Sequence, residues 1–274
     1  MPLEAAIAAL FVYPVKSCAG IEIASAEITE RGFAHDREWM IVDSGGRFLS
    51  QREVPALALI ATALSPGGLE LTAAGDATTI AIPFGYAGPR RTVTVWRDTL
   101  PAIDQGDEPA AWLSQRLERD VRLVRFDPGV RRLCNREYAG ESGAHTGFAD
   151  AYPLLVLSQP SLADLNARLA RPLPLNRFRP NILLSGCDPY DEDHIDEIVA
   201  GAVRMKLVKP CTRCQITTTD QHTGERGAEP LATLATYRVN PRLEGVTFGV
   251  NAILLAGFGS TLAAGAPVEC SLRF

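Results

Sequence analysis

Cys211-Thr212-Arg213-Cys214 is the densest chemical signal in the sequence. Two thiols three positions apart can converge on one metal or form a redox pair. A structural zinc site needs four ligands. No second Cys-x-x-Cys is present, and His222 is the only nearby histidine. A thioredoxin-like redox motif sits after a strand and opens a helix. Here Pro210 precedes the motif, and the β-branched residues 215–220 predict a strand after it. An inert structural role competes with both readings. Lys209 and Arg213 lie beside the thiols, and nearby cations favour thiolate over thiol. Thiolate is a soft ligand suited to redox metals. The polar run 217–220 offers hydrogen bonds to a metal-oxo centre.

Three further clusters carry charge. Lys16 follows Tyr13-Pro14-Val15, with Ser17 and Cys18 beside it. It reads as an exposed lysine or as a contact for a phosphate or anionic ring, with Ser17 adding a hydroxyl donor. Arg37 stands between Asp36 and Glu38. Such an arginine is a structural ion pair or a planar fork for phosphate. In Arg177-Phe178-Arg179-Pro180-Asn181, two arginines bracket an aromatic, and Asn181 offers a donor and an acceptor. Alone this is a turn. With Lys16 and Arg37 it forms an anion-binding set.

The elements that must position these residues read as mainly β. Short apolar or alternating runs at 8–15, 21–28, 39–42, 69–71, 78–82 and 92–96 are punctuated by Gly and Pro. Asp43-Ser44-Gly45-Gly46 predicts a hairpin between 39–42 and 47–51. A helix is expected from Pro109, capped by Asp107, with Trp112, Leu113 and Leu117 on one face. Residues 129–147 read as a long loop. In the second half, strands are expected at 152–157, 181–184, 203–208 (ending at Pro210), 251–256 and 268–272. Helices are expected from Ser161, in a capping-box variant, and after Pro230. Regular short strands with turn residues suggest a sandwich or barrel.

Composition bounds the function. The 274 residues are 46% hydrophobic with a net charge of −5, which argues against a nucleic-acid binder. Six cysteines are too sparse for a disulfide scaffold and point to a reducing compartment. The apolar run 5–12 is short and preceded by Glu4 rather than a basic segment. No run reaches the roughly 18 apolar residues of a spanning helix. The expectation is a cytoplasmic protein without a membrane span. Seven arginines between 116 and 136 read as a solvated surface or as a docking face for an acidic partner.

In this order the pieces resemble the MOSC-domain proteins, the mitochondrial amidoxime-reducing components and their bacterial relatives. Tyr13-Pro14-Val15-Lys16-Ser17-Cys18, Gly32 with Asp36-Arg37, and Gln51-Arg52 with Pro55 are similar to the family's N-terminal β domain. Phe148-Ala149-Asp150 with Tyr152-Pro153, Ser161 to Asn166, Arg177 to Asn181, Glu192-Asp193, Cys211 to Cys214, Thr217-Thr218 with Asp220 and Gly224, and Phe248-Gly249 are similar to its C-terminal domain. The resemblance implies an α+β chain that is mainly β. An N-terminal MOSC-type β domain would span 1–120, and a C-terminal MOSC β-barrel with a few short helices would span 121–274.

The resemblance also implies a molybdenum cofactor, a molybdopterin whose dithiolene holds the metal. Cys214 maps onto the ligating cysteine. Lys16, Ser17, Arg37, Arg179 and Asn181 map onto residues that hold pterin and phosphate, and Asp150 lies near the cofactor. One thiolate suffices, so Cys211 is a bystander or a tuner. Gln215 and Ile195 depart from the family's usual apolar residue and tryptophan. The implied activity is reduction of N-hydroxylated compounds such as amidoximes and hydroxylamines, with the N-bound oxygen leaving as water. The plant-type cluster spacing Cys-x4-Cys-x2-Cys is absent, so a separate reductase or iron–sulfur protein must supply electrons. The alternatives are a persulfide-bearing sulfur carrier and a cofactor-binding or storage protein.

Overall fold

The computed structural model describes residues 3–75 and 78–273. Its second half closes a seven-stranded barrel. In order around the ring, the strands are Leu154–Ser158, Ile182–Ser185, Leu3–Val12, Pro267–Leu272, Ile195–Ala200, Val203–Thr212 and Gly245–Ala256. The last pairs back onto the first, with Leu155 opposite Asn251. The opening strand of the chain is therefore a stave of this barrel, paired to Ile182–Ser185 and Pro267–Leu272. Leu154–Ser158 and Ile182–Ser185 run parallel. A parallel pair needs a crossover, and the helix Gln159–Arg168 supplies it. Ile7, Leu10, Val156, Leu184, Met205, Ala252 and Cys270 fill the interior.

The first half carries a four-stranded sheet in the order Trp39–Asp43, Val121–Phe126, Asp98–Asp104 and Arg90–Val95. A three-stranded meander, Ile60–Ser65, Gly68–Ala73 and Thr79–Pro83, lies beside it. Leu113 and Leu117 of the helix Asp107–Leu117 pack with Trp39, Leu57, Leu69 and Ile80 in a second core. The expected hairpin after Trp39–Asp43 is present, with Leu49 N donating to Ile41 O at 2.9 Å. No helix among the described residues is long and apolar enough to cross a membrane.

Several local expectations are corrected. Asp107 does not cap its helix: Gly106 holds the cap position, and Asp107 accepts from Arg122. The cap of the crossover helix is Ser158, whose hydroxyl accepts from Ser161 N, so Ser161 lies in the first turn. Residues 129–147 are not one loop. They hold the short ladder Arg132–Leu133 with His145–Thr146 and the helical turn Arg136–Ala139. Val203–Thr212 continues through Pro210, because register shifts on either side absorb a residue with no N–H to give. The run after the cysteines is a 3-10 turn, Gln215–Thr218, rather than a strand.

The arginines of 116–136 divide. Arg122 is paired with Asp104 and Asp107, and Arg125 with Glu38. Arg132 donates to Asp98 at 2.6 Å and to the carbonyls of Gly147, Ala149 and Asp150. These three build the protein and are not available to a docking partner.

Candidate functional site

The strand Leu3–Val12 leaves the barrel into Tyr13-Pro14-Val15-Lys16-Ser17, which crosses to the first-half sheet. Lys16 N donates to Trp39 O at 2.8 Å, and Tyr13 N to Asp36 Oδ1 at 2.8 Å. The Tyr13 ring is the platform of the site. The Arg37 and Arg179 guanidinium carbons lie 4.3 and 4.2 Å from its centroid. Its hydroxyl donates to Pro180 O at 3.0 Å. A Cβ on Gly20 would meet Tyr13 Cε1 at 2.3 Å, so only glycine lets the ring lie there. Burial pushes the phenol up to about 12, against both arginines, so it stays neutral.

Lys16, Ser17, Arg37, Asp150, Arg179, Asn181 and Cys214 all line one pocket, together with Cys211, Arg213 and Thr217. Both halves of the chain contribute. Arg37 Nη1 donates to Asp36 Oδ2 at 2.6 Å and to Asn181 Oδ1 at 2.8 Å, and Nη2 donates to Arg179 O at 3.1 Å. Arg37 thus forms the ion pair with Asp36 and also lines the pocket. Ser17, Arg37 and Arg179 share a left-handed backbone, with φ of 71°, 47° and 57°. Each such non-glycine residue costs on the order of 1 kcal/mol, and strain of this kind gathers at functional sites.

Lys16 is buried and donates to Phe148 O at 2.8 Å and to Asp150. Burial lowers the Lys16 ammonium, with Asp150 opposing the shift. Burial alone would raise Asp150, but Lys16, the Trp96 N–H and Arg52 outweigh it and hold the carboxyl well below the usual range. The Asp150 side chain itself is exposed, with a relative accessibility of 61%, beside the buried Lys16. Three carbonyls of its own loop are gripped by Arg132, which fixes where Asp150 points.

Cys211 is the penultimate residue of the strand Val203–Thr212, and Cys214 is the cap residue of the turn Gln215–Thr218. Both thiols are free and partly accessible, whereas the other four cysteines are buried. Arg213 Nη1 donates to Cys211 Sγ at 3.0 Å, and Arg52 Nη1 to Cys214 Sγ at 3.3 Å. The hydroxyls of Thr217 and Thr218 turn back to the carbonyls of Cys214 and Gln215, so they hold the turn rather than reach outward. Among the described residues no three His, Cys, Asp or Glu side chains gather as a metal cage, which leaves a closed zinc site without its ligands.

Sequence reasoning missed two contributors. Arg52 was legible only as part of the Gln51-Arg52 pair, and Trp96 carried no signal. Trp96 Nε1 donates to Asp150 Oδ1 at 3.1 Å, and Arg52 stacks 4.5 Å from the Trp96 centroid.

Two groups test whether a flat, anionic ligand fits. Among the described residues no carboxylate pairs with Arg179, whose guanidinium donates to Cys18 O at 2.6 Å. Burial and the neighbouring Arg37 lower it to about 10, the mark of a cation short of an anion. Arg213 Nε is buried with no partner. A phosphorylated pterin would answer both, and a soft metal would find the Cys214 sulfur at the same wall.

Residues 4–120 match the MOSC N-terminal beta barrel domain, and residues 143–269 match the MOSC domain. The mouse protein named mitochondrial amidoxime-reducing component 1 is 36% identical over 252 residues, covering 89% of this chain and 74% of its own length. The chain belongs to the MOSC-domain family. The human component 1 is likewise 36% identical over 250 residues, covering 85% of this MOSC protein and 72% of its own length. The rice molybdenum cofactor sulfurase is 33% identical over 251 residues, which are 84% of this chain and 30% of the sulfurase. A MOSC-family, molybdenum-cofactor-associated function follows from these relatives.

Proposed function

We propose that this MOSC protein is a molybdenum-cofactor-dependent oxidoreductase that reduces N-hydroxylated compounds such as amidoximes and hydroxylamines. One observation carries the reading. Lys16, Ser17, Arg37, Asp150, Arg179, Asn181 and Cys214 converge on one pocket, in a chain whose relatives are named for amidoxime reduction. Cys214 is the proposed metal ligand. Lys16, Ser17, Arg37, Arg179 and Asn181 are proposed to hold the pterin and its phosphate, with Asp150 beside them. When bound, the cofactor supplies the two electrons that turn an N–OH group and two protons into N–H and water.

The protein's own residues prepare that chemistry. Arg37 and Arg179, stacked on Tyr13, present fixed donors to a phosphate or pterin edge without further ordering. Asp150 pairs with Lys16 in the pocket wall and opposes the effect of burial on its ammonium. Electrons are proposed to come from a separate reductase or iron–sulfur protein. The six free cysteines suit a reducing, cytoplasmic setting.

The test is reduction of benzamidoxime to benzamidine by protein purified from a host that makes the cofactor, with reduced viologen as donor. Turnover supports the proposal. Bound cofactor without turnover of any N-hydroxylated compound contradicts it and favours a binding or storage role. The similarity to the rice sulfurase supports a second reading, a sulfur carrier. Persulfide on Cys214 without molybdenum would favour that one.

A further inference from the structure

We infer that Arg52 is the side chain that receives the hydroxyl oxygen of an N-hydroxylated substrate, and that Trp96 positions it. The inference rests on the reductase reading above. Arg52 places one Nη on the sulfur of the pocket residue Cys214 at 3.3 Å. A guanidinium fork carries more donors than that one bond uses. Among the described residues no carboxylate pairs with Arg52, so its other N–H groups are unspent beside the sulfur. A polar group of substrate brought beside that sulfur would find these donors within reach.

Trp96 explains why the guanidinium stays there. The indole is 44% exposed, which is unusual for so large an apolar ring, and its backbone is left-handed with φ of 57°. It is nevertheless pinned on three sides. Its N–H donates to Asp150 at 3.1 Å, Phe48 packs at 4.9 Å, and Arg52 stacks at 4.5 Å. The chain Asp150–Trp96–Arg52–Cys214 thus ties the first-half sheet to the thiol wall. A planar fork stacked on an aromatic ring loses little freedom when it donates, which suits it to a small polar group such as N–OH.

The experiment compares wild type with Arg52→Gln, Arg52→Lys, Trp96→Ala and Trp96→Phe in cofactor-loaded protein. Calorimetry measures binding of benzamidoxime and of benzamidine, which lacks the hydroxyl. Metal analysis and viologen-driven turnover accompany it. Wild type is expected to prefer the hydroxylated compound. Arg52→Gln is expected to lose that preference about tenfold and to lose kcat, with molybdenum content and benzamidine binding unchanged. Arg52→Lys should recover part of the loss, Trp96→Phe most of its activity, and Trp96→Ala little. Retention of the preference and of kcat in Arg52→Gln overturns the inference and leaves the reductase reading standing. A fall in molybdenum content in Arg52→Gln also overturns it, since the residue would then serve the cofactor. Absence of turnover in loaded wild type overturns both readings.

Discussion

Asn181 Oδ1 accepts the Arg37 Nη1 hydrogen bond at 2.8 Å, joining residues 144 positions apart. The same oxygen accepts from Leu155 N at 3.2 Å, and Nδ2 donates to Phe11 O at 3.1 Å. One amide thus fastens the first-half arginine to three barrel segments. Asn181→Ala should cost about 2–3 kcal/mol by leaving these groups unpaired. It should also weaken cofactor retention, because Arg37 loses one of its three partners. Urea denaturation and the cofactor content of the purified variant check both effects. Wild-type values for both would show that Arg37 does not need that partner.

Arg179 offers a test of strain. At φ of 57° a side chain is disfavoured and glycine is not. Arg179→Gly should therefore be more stable than Arg179→Ala by about 1 kcal/mol, while both lose the proposed cofactor contact. Equal midpoints in urea would argue that the left-handed backbone carries no strain.

Arg132 should act on the site from a distance. It grips three carbonyls of the loop that carries Asp150. Arg132→Ala is expected to cost about 2–3 kcal/mol, since hydrogen bonds from a charged group are lost. Arg132→Lys should restore less than half, because an ammonium cannot span the same set. A variant as stable as wild type would remove Arg132 from the support of the loop.

Much of the candidate pocket's lining was legible because its residues announce themselves by type. Cationic, amide and thiol side chains at Lys16, Arg37, Arg179, Asn181 and Cys214 have few roles in an ordinary core, and all of them line the pocket. The misreadings have local causes. Thr217 and Thr218 have strand-forming side chains, yet their hydroxyls bond the carbonyls three residues back and stabilise a turn instead. Ser161 resembled a cap because it precedes a helical pattern, but its hydroxyl is spent on Glu192 at 2.9 Å. Arg52 and Trp96 were invisible as a pair because a cation and an aromatic 44 positions apart have no spacing to read. The closure of the barrel by the opening strand is likewise a long-range pairing that no local pattern encodes.

Glu192 gives a pH test of that buried cluster. It is 1% exposed, and burial raises its carboxyl above the usual range, against the Ser161 and Ser158 hydroxyls. Between the unfolded and folded pKa the native state holds a proton that the unfolded chain has released. Stability therefore falls as pH rises through that window. Glu192→Gln keeps the shape and removes the charge. Its stability relative to wild type should rise with pH above the ordinary glutamate value of about 4.3 and level off once the native carboxyl has ionised. Urea midpoints from pH 4 to 8 check this. A relative stability that falls as pH rises would mean the carboxylate is stabilised in place.

The central claim is that the Cys214 sulfur holds the metal. Its most direct measurement is the molybdenum content of freshly purified wild type beside Cys214→Ser, with circular dichroism to show that both are folded. Wild type should carry about one molybdenum per chain, as a single thiolate site requires. Cys214→Ser should be folded, because sulfur to oxygen barely changes volume, and should lose the metal and all viologen-driven benzamidoxime reduction. A folded Cys214→Ser protein with full molybdenum and full turnover would contradict the account.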